Sequence, residues 1–212
     1  MRTRLGCRGK RNELNCSSRR KVRCLTSFAA QKDYACQWQG QAIAPLPGED
    51  EVPGTLIIGY GNPMRGDDAI GCHAARVLEQ HFWNDPDVEV VAAQQLTPEM
   101  VDDILQRDFV LFLDASFGDQ PGTILRTTVS PEPGPSGFSD QFTPSSLLTA
   151  AEQLYGDAPF AMSITMAGWS FDPGQKMSQV ATRRMPDFIR LAQEAVESHR
   201  HQVQARTAAG MK

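Results

Sequence analysis

Thr55-Leu56-Ile57-Ile58-Gly59-Tyr60-Gly61-Asn62-Pro63-Met64-Arg65-Gly66-Asp67-Asp68-Ala69-Ile70-Gly71 is the stretch from which the architecture can be read. It opens on a short apolar run ending in glycine, which marks a buried strand. Gly61, Asn62, Pro63 and Gly66 then break the chain into a turn. From Ala69 to Phe82 the pattern becomes helical, with Ile70, Ala74, Val77, Leu78 and His81 on one stripe. A strand, a tight turn and a helix in that order form the opening unit of an α/β sheet.

The same alternation continues downstream. Val88 to Ala93 reads as a second strand, and Thr97 before Pro98 as the cap and first position of a helix. Phe109 to Leu113 is nearly all apolar and ends in Asp114, which suits a strand covered on both faces. Gly122 to Val129 is a further strand. Thr143-Pro144 repeats the cap signal before a helix with Leu147, Leu148, Ala151, Leu154 and Tyr155 inward, stopped by Gly156. Ala161 to Gly168 is a last strand, and Asp187 to about His199 a closing helix. The expected fold is α/β, a three-layer α/β/α arrangement with a mostly parallel twisted sheet and helices on both faces.

Charge divides the chain. Of 212 residues, the first 48 hold ten Lys and Arg against Glu13 and Asp33, an excess of eight positive charges. The whole chain carries −4, so the rest carries −12. That balance argues against a nucleic-acid partner, since phosphate contacts need clustered Lys and Arg. Residues 1–52 read as a basic, disordered extension, residues 53–200 as the α/β domain, and 201–212 as a frayed tail. Ser18-Arg19-Arg20 hints at a twin-arginine signal, but Gln31, Lys32 and Asp33 interrupt any apolar region after it. No run of about 18 apolar residues exists to cross a membrane. Cys7, Cys16, Cys24, Cys36 and Cys72 make no CxxC pair and are odd in number, which fits a reducing, cytoplasmic setting.

The turn after the first strand carries the chemistry. A dinucleotide fingerprint needs glycine three residues after Gly61, where Met64 stands, and Gln94-Gln95 offers no acid for a ribose. Asp67 and Asp68 would also repel a pyrophosphate, so no nucleotide cofactor is expected. An acidic strand-to-helix turn suits a cation or an activated water instead. The plainer alternative is that Asp67 caps the helix and Asp68 complements its dipole. Asp114 favours the first reading, because it stands at another strand's carboxyl end, where open α/β sheets bind ligands.

With these residues in place, the chain resembles the hydrogenase maturation proteases. Gly61-Asn62, Asp67-Asp68 and Gly71 match that family's first block. Gln95-Leu96-Thr97-Pro98-Glu99 resembles the block of one subgroup. Phe112-Leu113-Asp114-Ala115-Ser116 with Pro121-Gly122, then Leu147-Leu148 with Leu154-Tyr155-Gly156, follow in order. Gly168, Ser170-Phe171, Gly174 and Ser178 complete a likeness running from Thr55 to about Val196.

The resemblance implies an endopeptidase that trims the C-terminal extension of a nickel–iron hydrogenase large subunit after nickel insertion. The substrate's own nickel would serve as the recognition signal. It also implies three metal contacts. Two carry over to Asp68 and Asp114, which would also be the catalytic pair. The third, a histidine before the Thr143 helix, falls at Asp140, beside Gln141, so Asp140 is the expected third oxygen ligand. Asp67 is left as the helix cap. None of the four histidines replaces the missing one: His73 is expected in a packing or surface role, and His199 and His201 in a solvated tail. Trp169 and Lys176 stand where the subgroup has acids. Two rival readings follow from these departures. One is a non-catalytic chaperone for the same immature subunit, the other a stand-alone metallopeptidase, which oxygen-only ligands disfavour.

Overall fold

A computed structural model describes residues 54–132 and 142–210. Strand β1 (Thr55–Tyr60) leads through a short 3₁₀ turn, Gly66–Ala69, into helix α1 (Ile70–His81). There follow β2 (Val88–Ala93), α2 (Met100–Leu105), β3 (Phe109–Ser116), β4 (Ile124–Val129), α3 (Pro144–Tyr155), β5 (Phe160–Ala167) and α4 (Gln179–Gly210). The sheet order is β2-β1-β3-β5-β4. Strands β2, β1, β3 and β5 run parallel, and β4 pairs antiparallel with β5 at the edge.

Strand periodicity explains the three layers. In β1, Ile57 points to one face while Leu56 and Ile58 point to the other. In β3, Phe109, Leu111 and Leu113 share a face with Ile57, and Val110 and Phe112 take the opposite one. The first face is covered by α1 and α4, through Ile70, Ala74, Leu78, Met185, Phe188 and Val196. The second is covered by α2 and α3, through Met100, Val101, Ile104, Leu147, Leu148 and Ala151. Because both faces are buried, β1 and β3 read as continuous apolar runs rather than alternating ones.

Several local expectations are corrected. On α1 the buried line is Ile70, Ala74, Ala75 and Leu78, while Val77 and His81 face outward. Thr97 does not cap α2. The chain turns there through main-chain bonds from Met100 N to Thr97 O and from Val101 N to Pro98 O, and the helix starts at Met100. Thr143 does cap α3, accepting from Ser146 N at 3.1 Å while Ser146 Oγ accepts from Thr143 N at 2.8 Å. Leu154 and Tyr155 are exposed on its last turn, and the Tyr155 hydroxyl donates to Asp102 of α2 at 2.6 Å.

Helix α4 is far longer than expected. Ser178 accepts from Ala181 N and so starts it ahead of Pro186, which lies inside the helix. Its residues 201–210 are helical and all exposed. His199 is not solvated. Its ring stacks against Phe109 at 4.6 Å and Phe160 at 5.8 Å, and both ring nitrogens are buried without a partner among the described residues. Burial favours its neutral form and pushes its pKa down; Asp108 opposes this and Arg206 reinforces it.

Candidate active site

The chain leaves β1 toward β2 on one side and later returns to β3 on the other. The carboxyl ends of β1 and β3 therefore flank the topological switch point, where open α/β sheets form a crevice. Two glycines bring the acidic turn over this point. Gly61 adopts φ 131°, and a Cβ there would lie 1.9 Å from the Asp68 carbonyl. A Cβ on Gly71 would lie 2.2 Å from the Leu113 carbonyl and 2.3 Å from that of Tyr60, so only glycine lets α1 seat this closely on β1 and β3.

Asp68 and Asp114 meet at this crevice. Asp68 is half-buried and accepts from Asn62 N at 3.0 Å, while Asn62 Oδ1 accepts from Met64 N at 2.9 Å and shapes the turn between them. Asp114 is half-buried at the end of β3. Its carboxyl is pushed up to about 6, chiefly by burial, with the Asp68 charge adding to the rise. Hydrogen bonds from the Tyr60 hydroxyl and from Ala115 N, the latter at 2.7 Å, oppose it. Tyr60 ends β1, so neighbouring strands hand the two groups to each other; its own hydroxyl is pushed up by burial and by the Asp114 charge.

Asp67 is fully buried and caps nothing. Its carboxylate reaches across to the β5–α4 loop, where Oδ2 accepts from Trp169 N at 2.7 Å and Ser170 N at 3.4 Å, and Oδ1 from Ser178 N at 2.7 Å. Main-chain bonds from Asp67 N to Ser170 O, Gly66 N to Gln175 O and Gly174 N to Met64 O complete a clasp between the two loops. The 168–178 segment thus lies against the acidic turn although more than a hundred residues separate them in sequence. Cys72 is the other residue whose part is visible only in three dimensions. Its buried thiol lies 3.0 Å from the Gly61 carbonyl and 2.7 Å from that of Ala93, joining α1 to the ends of β1 and β2.

The loops at this end also expose large apolar side chains. Phe117 is 85% exposed, Trp169 72% and Met64 69%. Phe117 pairs with Phe171 at 4.2 Å between ring centres, which ties the loop after β3 to the loop after β5. Asp140 and Gln141 lie outside the described residues. Among the described residues no three His, Cys, Asp or Glu come together to hold a metal. Asp68 and Asp114 supply two oxygen donors, too few for a tightly held ion of their own but suited to completing the shell of one carried by something else.

Two acids at a switch point, with exposed apolar side chains on the loops at the same end of the sheet, make this crevice the candidate site. No family model matches the chain. Hydrogenase 2 maturation protease of Escherichia coli is 30% identical over 115 residues, covering 51% of this chain and 69% of that protein. The chain belongs to the hydrogenase maturation protease family, and is a peptidase that acts in hydrogenase maturation. Solved structures show the same fold. The maturation protease HycI of Thermococcus kodakarensis superposes with a TM-score of 0.56 at 21% identity, over 70% of this chain and 97% of that one. The endopeptidase HybD of Escherichia coli gives 0.55 at 22% identity, over 68% and 93%.

Proposed function

We propose that the protein removes the C-terminal extension of a nickel–iron hydrogenase large subunit once nickel is in place, with Asp68 and Asp114 gripping the substrate's nickel. The observation that carries this is the acid pair itself. Two carboxylates that face one crevice repel each other, and a proton or a cation relieves that repulsion. Burial, with the Asp68 charge adding to it, raises the Asp114 pKa to about 6, so below that pH a proton relieves the pair and above it the ionised pair is open to a cation. A nickel ion borne by the substrate would neutralise the pair and dock the scissile bond in one step. From there, the ion could polarise the scissile carbonyl, or Asp114 could pass its proton to the leaving amine. Asp67 holds the crevice in shape and takes no part in the chemistry.

Asp140 is proposed as the third oxygen contact. Carboxylate is shorter than imidazole and adds charge, so nickel would be held less selectively than by a histidine. Asp140→Ala is expected to abolish processing and Asp140→His to retain or raise it, read as the gel shift of a nickel-loaded large subunit. Unchanged cleavage by Asp140→Ala would reduce the residue to a loop acid. Cleavage by Asp140→His alone would make the natural protein a binding chaperone.

The domain is proposed to span residues 53–200, with residues 1–52 dispensable. A chain starting at Glu51 is expected to keep its melting temperature and processing rate, and loss of either would put the segment within the domain. A cytoplasmic location is proposed too. The free, buried Cys72 supports it, and among the described residues no helix is long and apolar enough to cross a membrane.

A further inference from the structure

A cavity of about 390 Å³ opens beside the crevice, between the acidic turn, the first turns of α1 and residues 174–177. Met64, Cys72, His73, Arg76, Gln175 and Lys176 are among its lining, which includes no acid. In a region carrying −12 outside the basic N-terminal segment, an acid-free cavity holding two permanent cations stands out. The guanidinium groups of Arg107, Arg190 and Arg200 pair with Glu89, Glu194 and Asp85, while Arg126 and Arg206 pair with no acid among the described residues, so it is the shared acid-free lining that sets the cavity's two cations apart. The side chains of Arg76 and Lys176 have no ion pair or hydrogen bond among the described residues.

The cavity borders the crevice. Cys72 lines the cavity and lies between the two: burial pushes its thiol's pKa up, Arg76 opposes the rise, and the Asp68 and Asp114 charges add to it. Arg76 follows Asp68 by eight residues, mostly along α1, or roughly 12 Å of helix. An extended polypeptide covers that in about four residues.

We propose that this cavity binds a carboxylate of the polypeptide substrate, about four residues beyond the scissile bond on the extension side. The proposal rests on the processing reading above. With the nickel-bearing body of the subunit at Asp68 and Asp114, the extension is the part free to run along α1. A carboxylate answers both cations, since guanidinium forks and ammonium groups bond it directly. It comes either from an Asp or Glu side chain of the extension or from the chain's own C-terminus.

The test uses the full-length protein and its nickel-loaded, unprocessed large subunit. Arg76→Gln/Lys176→Gln is expected to raise KM for processing about tenfold, with the loss concentrated in KM rather than kcat. Two altered substrates separate the sources: one with the extension's acidic side chains changed to amides, one with its terminus carried away on an uncharged Gly-Ser tail. The alteration that removes the bound carboxylate raises KM for the wild type and adds little for the double variant. An unchanged KM in the double variant, or equal losses in both proteins for every substrate, overturns the proposal. Failure of the wild type to cut the native subunit would overturn the processing reading instead. Affinity of the immobilised protein for the uncut subunit still reads the contact, with an expected tenfold weakening in the double variant; equal affinities overturn it.

Discussion

Asp67→Ala is expected to lower the melting temperature by on the order of 10 °C and to abolish processing with it. The side chain is fully buried and accepts from Trp169 N, Ser170 N and Ser178 N. Removing it leaves donors of the clasp without partners, each costing about 1–3 kcal/mol when water cannot replace the acceptor. Part of that is recovered as the 168–178 loop opens to solvent, so the total falls short of the sum. The opened loop would take Trp169 and Phe171 with it, and the crevice would lose one wall. Asp67→Asn keeps one oxygen but presents an amide NH₂ to another N–H, so it should fall between alanine and wild type. Thermal unfolding followed by circular dichroism measures this. A melting temperature within about 2 °C of wild type would show that the clasp does not hold the loop.

The site divides into what is legible along the chain and what is not. Asp68 and Asp114 are legible as candidates because each ends a strand or opens a helix within an unambiguous apolar pattern, and strand ends in α/β sheets are where ligands bind. Asp67 could not be assigned. A carboxylate at a helix start is ordinarily a cap, and its true partners lie more than a hundred residues away, where only the glycines and serines of the 168–178 segment hint at them. Tyr60 reads as the last residue of a strand, and its hydroxyl's bond to Asp114 depends on β1 and β3 being neighbours.

Helix faces were less legible than strand faces. Val77 and Leu154 fit an apolar stripe but project beyond the surface that α1 and α3 cover. The sequence reading starts the closing helix at Asp187, whereas the Ser178 cap starts α4 well before. His199 illustrates the same limit from the other side. A polar residue near a chain end reads as solvated, yet Phe109 and Phe160, distant in sequence, close over it.

Asp114→Asn is expected to make the fold more stable above pH 6 while ending its activity. Burial and the Asp68 charge raise the folded-state pKa from the ordinary 3.8 to about 6. Between those values the folded protein holds a proton that the unfolded chain has released, so stability falls as pH rises through this window. Above it the folded state carries a half-buried anion at its full penalty, at most about 3 kcal/mol and less where water or motion relaxes the site. Asparagine removes the charge and keeps the shape, so the variant should gain about 1–3 kcal/mol at pH 7.5. At pH 4, where wild-type Asp114 is largely protonated, the two proteins should be alike. Asp68→Asn removes only the smaller, charge-based part of the penalty and should gain less. Both substitutions take an anionic oxygen from the nickel grip, and neither variant is expected to shift a nickel-loaded large subunit on a gel. Urea unfolding at pH 4 and pH 7.5 gives the stability half, and the gel assay the functional half. Wild-type cleavage by both variants would end the metal-grip reading. An Asp114→Asn protein less stable than wild type at pH 7.5 would mean that the Tyr60 and Ala115 hydrogen bonds to the carboxylate outweigh the cost of its burial.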